Sequence, residues 1–248
     1  MLTYNRRADL LYGTLLTFRT LRVGFPTAEV TVVDNASRPE ARAEVARLAA
    51  GVGARFRQLE REIEHHAFVS HTVSTESGPL AIVDPDLVFW DGMEDRPSPG
   101  LVAGRLIPDF RDPFSGTLTR ARLHTSLLVV PDCAALRDRI LREQRRHVDF
   151  HPFRPVSLRE RGGWTRWDTG AALHAALDEG ESRPFDEPDL DRYDHIFTGS
   201  HLDQVLPSLA PEDRAALAEA HRLAQETDLT PLRGLWRRQE AFFRGLAP

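Results

Sequence analysis

Lysine is absent from this 248-residue chain; all 32 basic residues are arginine. That excludes a Schiff-base or other catalytic lysine, and the usage reads as the coding bias of a GC-rich genome. Cysteine occurs once, as Cys133, so no internal disulfide can form, which fits a reducing cytoplasm. Set in the apolar run 127–133, its thiol reads as core and not as a nucleophile. No apolar stretch approaches the roughly 20 residues of a membrane-spanning helix, and no cleavage pattern of a secretory signal follows Arg6-Arg7. The Gly-X-Ser-X-Gly elbow of serine hydrolases, the P-loop and the Gly-X-Gly-X-X-Gly dinucleotide fingerprint are all missing. A formal net charge of −5 offers no basic face for nucleic acid.

What remains is an ordinary soluble composition, 41% hydrophobic and 28% charged, on a chain long enough for one large α/β domain or for two small ones. The first half alternates helix and strand signals. Apolar spacing over 10–23 predicts a helix, and 29–34 (EVTVVD) a strand ending on an acid. Ser37 and Glu40 have the spacing of a capping box before a helix through Ala41, Val45, Leu48 and Val52. A strand over 54–59, a helix over 65–77 and a strand over 80–83 follow. Such alternation predicts a central, mainly parallel sheet flanked by helices.

The second half is less regular. Strands are predicted over 101–107 and 122–130, with helices over 132–142 and 168–179 and a strand over 193–197. Between them, 144–163 is polar, arginine-rich and broken by Pro152 and Pro155, and reads as a long loop, functional or mobile. Two helices close the chain, over 211–226 and 231–245, the second with Thr230 as N-cap and Pro231 in its first turn. Its Trp236, Phe242 and Phe243 interleave with arginines, which suits packing on the domain, across a homodimer or on a membrane surface.

Ligands of open α/β sheets bind beyond the carboxyl ends of the strands. Two such ends carry acids here, Asp34-Asn35 and Asp84-Pro85-Asp86, and both are expected on one edge of one sheet. Residues two apart in a strand point to one side, so Asp84 and Asp86 can face one ligand. Carboxylates, phosphate and water are the ligands that Mg²⁺ or Mn²⁺ takes. Asp-Pro-Asp is equally good turn chemistry.

Thr3-Tyr4-Asn5-Arg6, Val32-Val33-Asp34-Asn35-Ala36-Ser37 and Ile82-Val83-Asp84-Pro85-Asp86 occur in that order, separated by helix signals. This series resembles the inverting GT-A glycosyltransferases grouped as family 2, and the likeness covers about residues 2–90. The resemblance implies a single GT-A domain with a helical C-terminus. Residues 1–100 would form the nucleotide-sugar half, 101–205 the acceptor and catalytic half, and 206–248 a helical extension. It further implies a nucleotide-diphosphate sugar donor, an acceptor hydroxyl on a sugar, lipid-linked sugar or natural product, and Mn²⁺ or Mg²⁺ as cofactor. Thr3 and Tyr4 would line the base and ribose, and Asp34 would accept a hydrogen bond from the base. Asp84 would contact ribose or metal, and Asp86 would be the main metal ligand.

Two further residues take roles from the same likeness. Asp168 would deprotonate the acceptor hydroxyl for a single displacement with inversion; it also stands where a helix N-cap should. His195 would complete the metal shell, or else serve as a structural histidine. Arg145, Arg146, Arg154, Arg159 and Arg161 could clamp an anionic acceptor or form a solvated face. The rival readings are a sugar-1-phosphate nucleotidyltransferase, which wants a glycine-rich loop that 3–8 lacks, and a non-catalytic nucleotide-sugar or glycan-binding module.

Overall fold

Val32 and Val33 are both buried, as befits a strand of a parallel sheet covered on two faces. They lie in β2 (Thr31–Asp34), the middle strand of a parallel sheet with β1 (Leu2–Thr3) and β3 (Arg55–Gln58). In this computed structural model residues 1–3, 11–94, 99–160, 162–196 and 213–246 are described. They form two units, each assembled from separated stretches: Met1–Ile63, Val83–Arg96 and Glu187–Trp236 in the first, and Glu64–Ile82, Pro97–Asp186 and Arg237–Pro248 in the second.

In the first unit, helix α1 (Leu11–Gly24) buries Leu11, Leu15, Leu16, Phe18 and Leu21, the apolar series that predicted it. Helix α2 (Pro39–Gly51) buries Ala41, Val45 and Ala49, one row at a spacing of four. The expected capping box does not form. Arg38 is the N-cap without a side-chain bond, and the Ser37 amide turns back to the Asp34 carboxylate. A short strand that the sequence reading missed, β5 (Leu87–Phe89), pairs antiparallel with β13 (Tyr193–His195). After the short helix α6 (Glu187–Leu190), α7 (Asp213–Glu226) and a 3₁₀ turn (Thr230–Leu232) come near the C-terminus. The single helix expected over 231–245 is interrupted by Gly234, whose φ of 74° is left-handed, and α8 spans only Leu235–Gly245.

The second unit holds two mixed sheets. One runs β12-β6-β9-β4, from β4 (Leu80–Val83), β6 (Val102–Ile107), β9 (Arg122–Val130) and β12 (Ser182–Pro184). The other runs β10-β11-β8-β7, from β7 (Phe110–Arg111), β8 (Leu118–Thr119), β10 (Val156–Glu160) and β11 (Gly163–Trp167). Helices α3 (His65–Thr75), α4 (Cys133–Arg146) and α5 (Ala171–Ala176) belong with them. Asp132 caps α4, accepting from the amides of Ala134 and Ala135.

The α/β class and the helical C-terminus are therefore present, while the sheet is divided. Strands joined by α1 and α2 run parallel, because a helical crossover returns the chain to the same end. Strands joined by short turns, such as β10 and β11, run antiparallel. That hairpin occupies part of the expected loop 144–163, and β11 opens on Gly163 at φ 123°. β2 and β4, expected in one sheet, are hydrogen-bonded into different ones.

Candidate metal centre

Asp84 follows β4, Pro85 fixes a tight turn, and Asp86 leads directly into β5. The two carboxylates thus converge through a turn and not through strand alternation. Each offers an oxygen to a group completed by His195, with all three ligand atoms within 4.8 Å of one another. His195 is 109 positions away in sequence, and β-pairing brings it there. It stands opposite Leu87 in the β5–β13 register, and the Ile196 amide donates to the Asp86 carbonyl at 3.0 Å. His195 Nε2 lies 3.1 Å from Asp86 Oδ1. His195 is 6% exposed and Asp86 9%, whereas Asp84 is half-buried.

Two sets of bonds hold β5 in place. On one side is β13; on the other, the Leu87 and Phe89 amides donate to Thr17 Oγ1 and Thr20 Oγ1 of α1, each at 3.0 Å. Those hydroxyls donate in turn to the Gly13 and Leu16 carbonyls. Gly24 ends the same helix against Phe89; a Cβ there would stand 2.6 Å from the ring. Behind His195, buried Asp194 accepts from Trp90 Nε1 and from the amides of Gly234 and Trp236, each at 2.8 Å. Asp194, Thr17 and Thr20 were missed by sequence reasoning. The threonines left one signal, hydroxyls three apart among the leucines of the helix.

The donor set fits a hard or borderline divalent ion: two carboxylate oxygens and an imidazole nitrogen.

Thr3 and Asp34 form a second group, paired across β1 and β2. Asp34 is completely buried, with Oδ1 3.4 Å from Thr3 Oγ1 and Oδ2 accepting from the Ser37 amide at 3.1 Å. Arg42 Nε lies 3.5 Å from the same Oδ2. Asn35 bridges to Ile63 through both its amide atoms at 2.8 Å, and Ala36 takes a φ of 57°. Tyr4 lies outside the described residues.

Asp168 belongs to the second unit. It is not the N-cap of α5; that position is Gly170 at φ 84°, and Asp168 contributes only its carbonyl, to the Ala171 amide. Its Oδ2 pairs with Arg122 at 3.0 Å, while Oδ1 accepts from the Thr169 amide at 2.9 Å and faces Arg166 at 3.4 Å. Burial lowers the pKa of the Arg122 guanidinium, against the pull of Asp168.

No family model matches the chain, and no curated protein does. Among solved structures it is similar to the mannosyltransferase PcManGT from Pyrobaculum calidifontis in complex with GDP-Man and Mn²⁺. That likeness has 14% identity and a TM-score of 0.44, over 98% of this chain and 80% of that one. It is also similar to the galactosyltransferase LgtC in complex with donor and acceptor sugar analogs, at 12% identity and a TM-score of 0.44, over 95% and 97% of the two chains. Among the described residues no helix is long and apolar enough to cross a membrane.

Proposed function

We propose that this chain is a metal-dependent glycosyltransferase that takes its sugar from a nucleotide-diphosphate sugar. The observation that carries the reading is the convergence of Asp84, Asp86 and His195. These three would hold Mn²⁺ or Mg²⁺, which when bound neutralises the departing diphosphate. Asp86 is the principal ligand, because the Ile196 amide holds its carbonyl and Thr17 holds the start of β5 that follows it. Asp84, the more open carboxylate, is left to approach ribose as well.

Thr3, Tyr4 and Asp34 are assigned to the base and ribose. Asp34 does this indirectly: with both oxygens engaged, it holds the turn 34–37 and so shapes the wall that the base meets. Donor binding falls to Thr3, Tyr4, Asp34, Asp84, Asp86 and His195, and Asp168 is the residue assigned to take the acceptor proton. Arg122 orients that carboxylate; inversion follows if the displacement is direct. A cytoplasmic setting goes with the free thiol of Cys133.

Thermal-shift measurements with UDP-, GDP- and dTDP-sugars test the proposal. Stabilisation is expected from one of them and is expected to require Mn²⁺. Asp86→Ala should weaken Mn²⁺ binding by at least about tenfold and abolish slow donor hydrolysis. No stabilisation by any nucleotide sugar, with or without Mn²⁺, would sink the reading. Binding without turnover would make the chain a nucleotide-sugar-binding module instead.

A further inference from the structure

Helices α3 and α4 and the segment 151–154 enclose a groove of about 520 Å³ in the second unit. α3 contributes His66, Ser70, His71 and Ser74, at the three- and four-residue spacings of one helix face. Arg137, Leu141 and Gln144 face it from α4, also one row. His151 and Arg154 close the third side. The floor is apolar: Val73 and Phe153 are each 2% exposed, while Leu141 on the lip is 42% exposed.

Among the described residues no carboxylate lines this groove. Arg137 is held by carbonyl oxygens, those of Ser74 at 2.9 Å and Glu76 at 3.1 Å. Among the described residues Arg154, His71 and His151 have no acidic partner, and only His66 has one, Glu64 at 2.9 Å. A merely solvated arginine face mixes both signs and has no dry floor. Here two guanidiniums and the histidines converge from three directions on a concavity with an apolar base. A planar carboxylate fills two such directions, whereas a phosphate presents oxygens to all three.

We infer that this groove binds a phosphomonoester whose organic part is apolar on one face, the phosphate between Arg137, Arg154 and His151 and the organic part against Val73, Leu141 and Phe153. The inference does not rest on the metal group or on the glycosyltransferase reading.

Calorimetric titration of the full chain with phenyl phosphate tests it, with inorganic phosphate and phenol as parallel arms. Phenyl phosphate should bind saturably and more tightly than either, and added salt should weaken it. Arg154→Gln and Leu141→Glu alter exposed side chains and leave folding intact, which circular dichroism checks. Each should reduce the affinity by about tenfold, the scale of one charge-assisted bond or one apolar contact face. Asp86→Ala should leave phenyl phosphate affinity unchanged, so failure here and failure of the metal site read separately. Absence of saturable binding, equal binding of phenol, or parent-like affinity in both groove variants would overturn the inference.

Discussion

Thr17 shows how a residue remote from the metal ligands can set their position. Its hydroxyl is the acceptor for the buried Leu87 amide, one residue after Asp86. Valine fills the same volume and accepts nothing, so the amide would be left unsatisfied at a cost of about 1–3 kcal/mol. Urea unfolding of Thr17→Val should show that loss, and Mn²⁺ affinity should fall with it, because the start of β5 is no longer held. Thr17→Ser keeps the oxygen and should restore most of the affinity. If Thr17→Val loses stability while Mn²⁺ binding is untouched, the β13 pairing alone positions Asp86.

At the scale of elements, α7 meets α2 through a charged contact: His221 Nε2 lies 2.9 Å from Glu44 Oε1, and Arg47 also binds Glu44. Hydrogen bonding from Arg47, followed by the charge of His221, holds the Glu44 carboxyl below its usual range despite burial. A depressed carboxyl stabilises the fold above its unfolded pKa, about 4.3, and that contribution is lost as pH falls through the lower folded value. The melting temperature of the parent should therefore exceed that of Glu44→Gln near neutrality, and the gap should close in acid. A gap that persisted at low pH would show packing at work instead of charge.

Elements with a long apolar period were legible in the sequence. α1, β4 and β9 stand where the pattern puts them, because burial of Leu11, Leu15 and Leu21, or of Leu127 and Leu128, leaves a repeat that no local chemistry disturbs. Among the short strands β2, β3, β4 and β13 were legible, and β5 was not. β5 has three residues and exists because Thr17, Thr20 and β13 satisfy its amides from outside, so Leu87-Val88-Phe89 reads only as an apolar patch. The same holds at the site. Asp84-Pro85-Asp86 and His195 were visible as residue types, but their meeting depends on a register that pairs His195 with Leu87. The helix expected from 168 begins three residues later, since Gly170 at positive φ takes the cap.

At the scale of the whole molecule, the chain crosses between its two units at 63/64, 82/83, 96/97, 186/187 and 236/237. Neither unit is a continuous fragment, so neither can lose its structure without loosening segments that feed the other. Each carries a probe of its own. The first has the Asp84–Asp86–His195 group, and the second has buried Cys133, whose thiol burial pushes up to about 11, with the charges of Glu76 and Asp132 adding to the effect. At pH 8 the native thiol is then both protonated and covered, and alkylation should require unfolding. Iodoacetamide labelling of Cys133 across a urea series, read by mass spectrometry, should share its midpoint with the loss of bound Mn²⁺ followed by electron paramagnetic resonance. The interleaved chain predicts that coincidence. Labelling well before the metal is released would mean that the second unit opens alone, and that the crossings are hinges instead of ties.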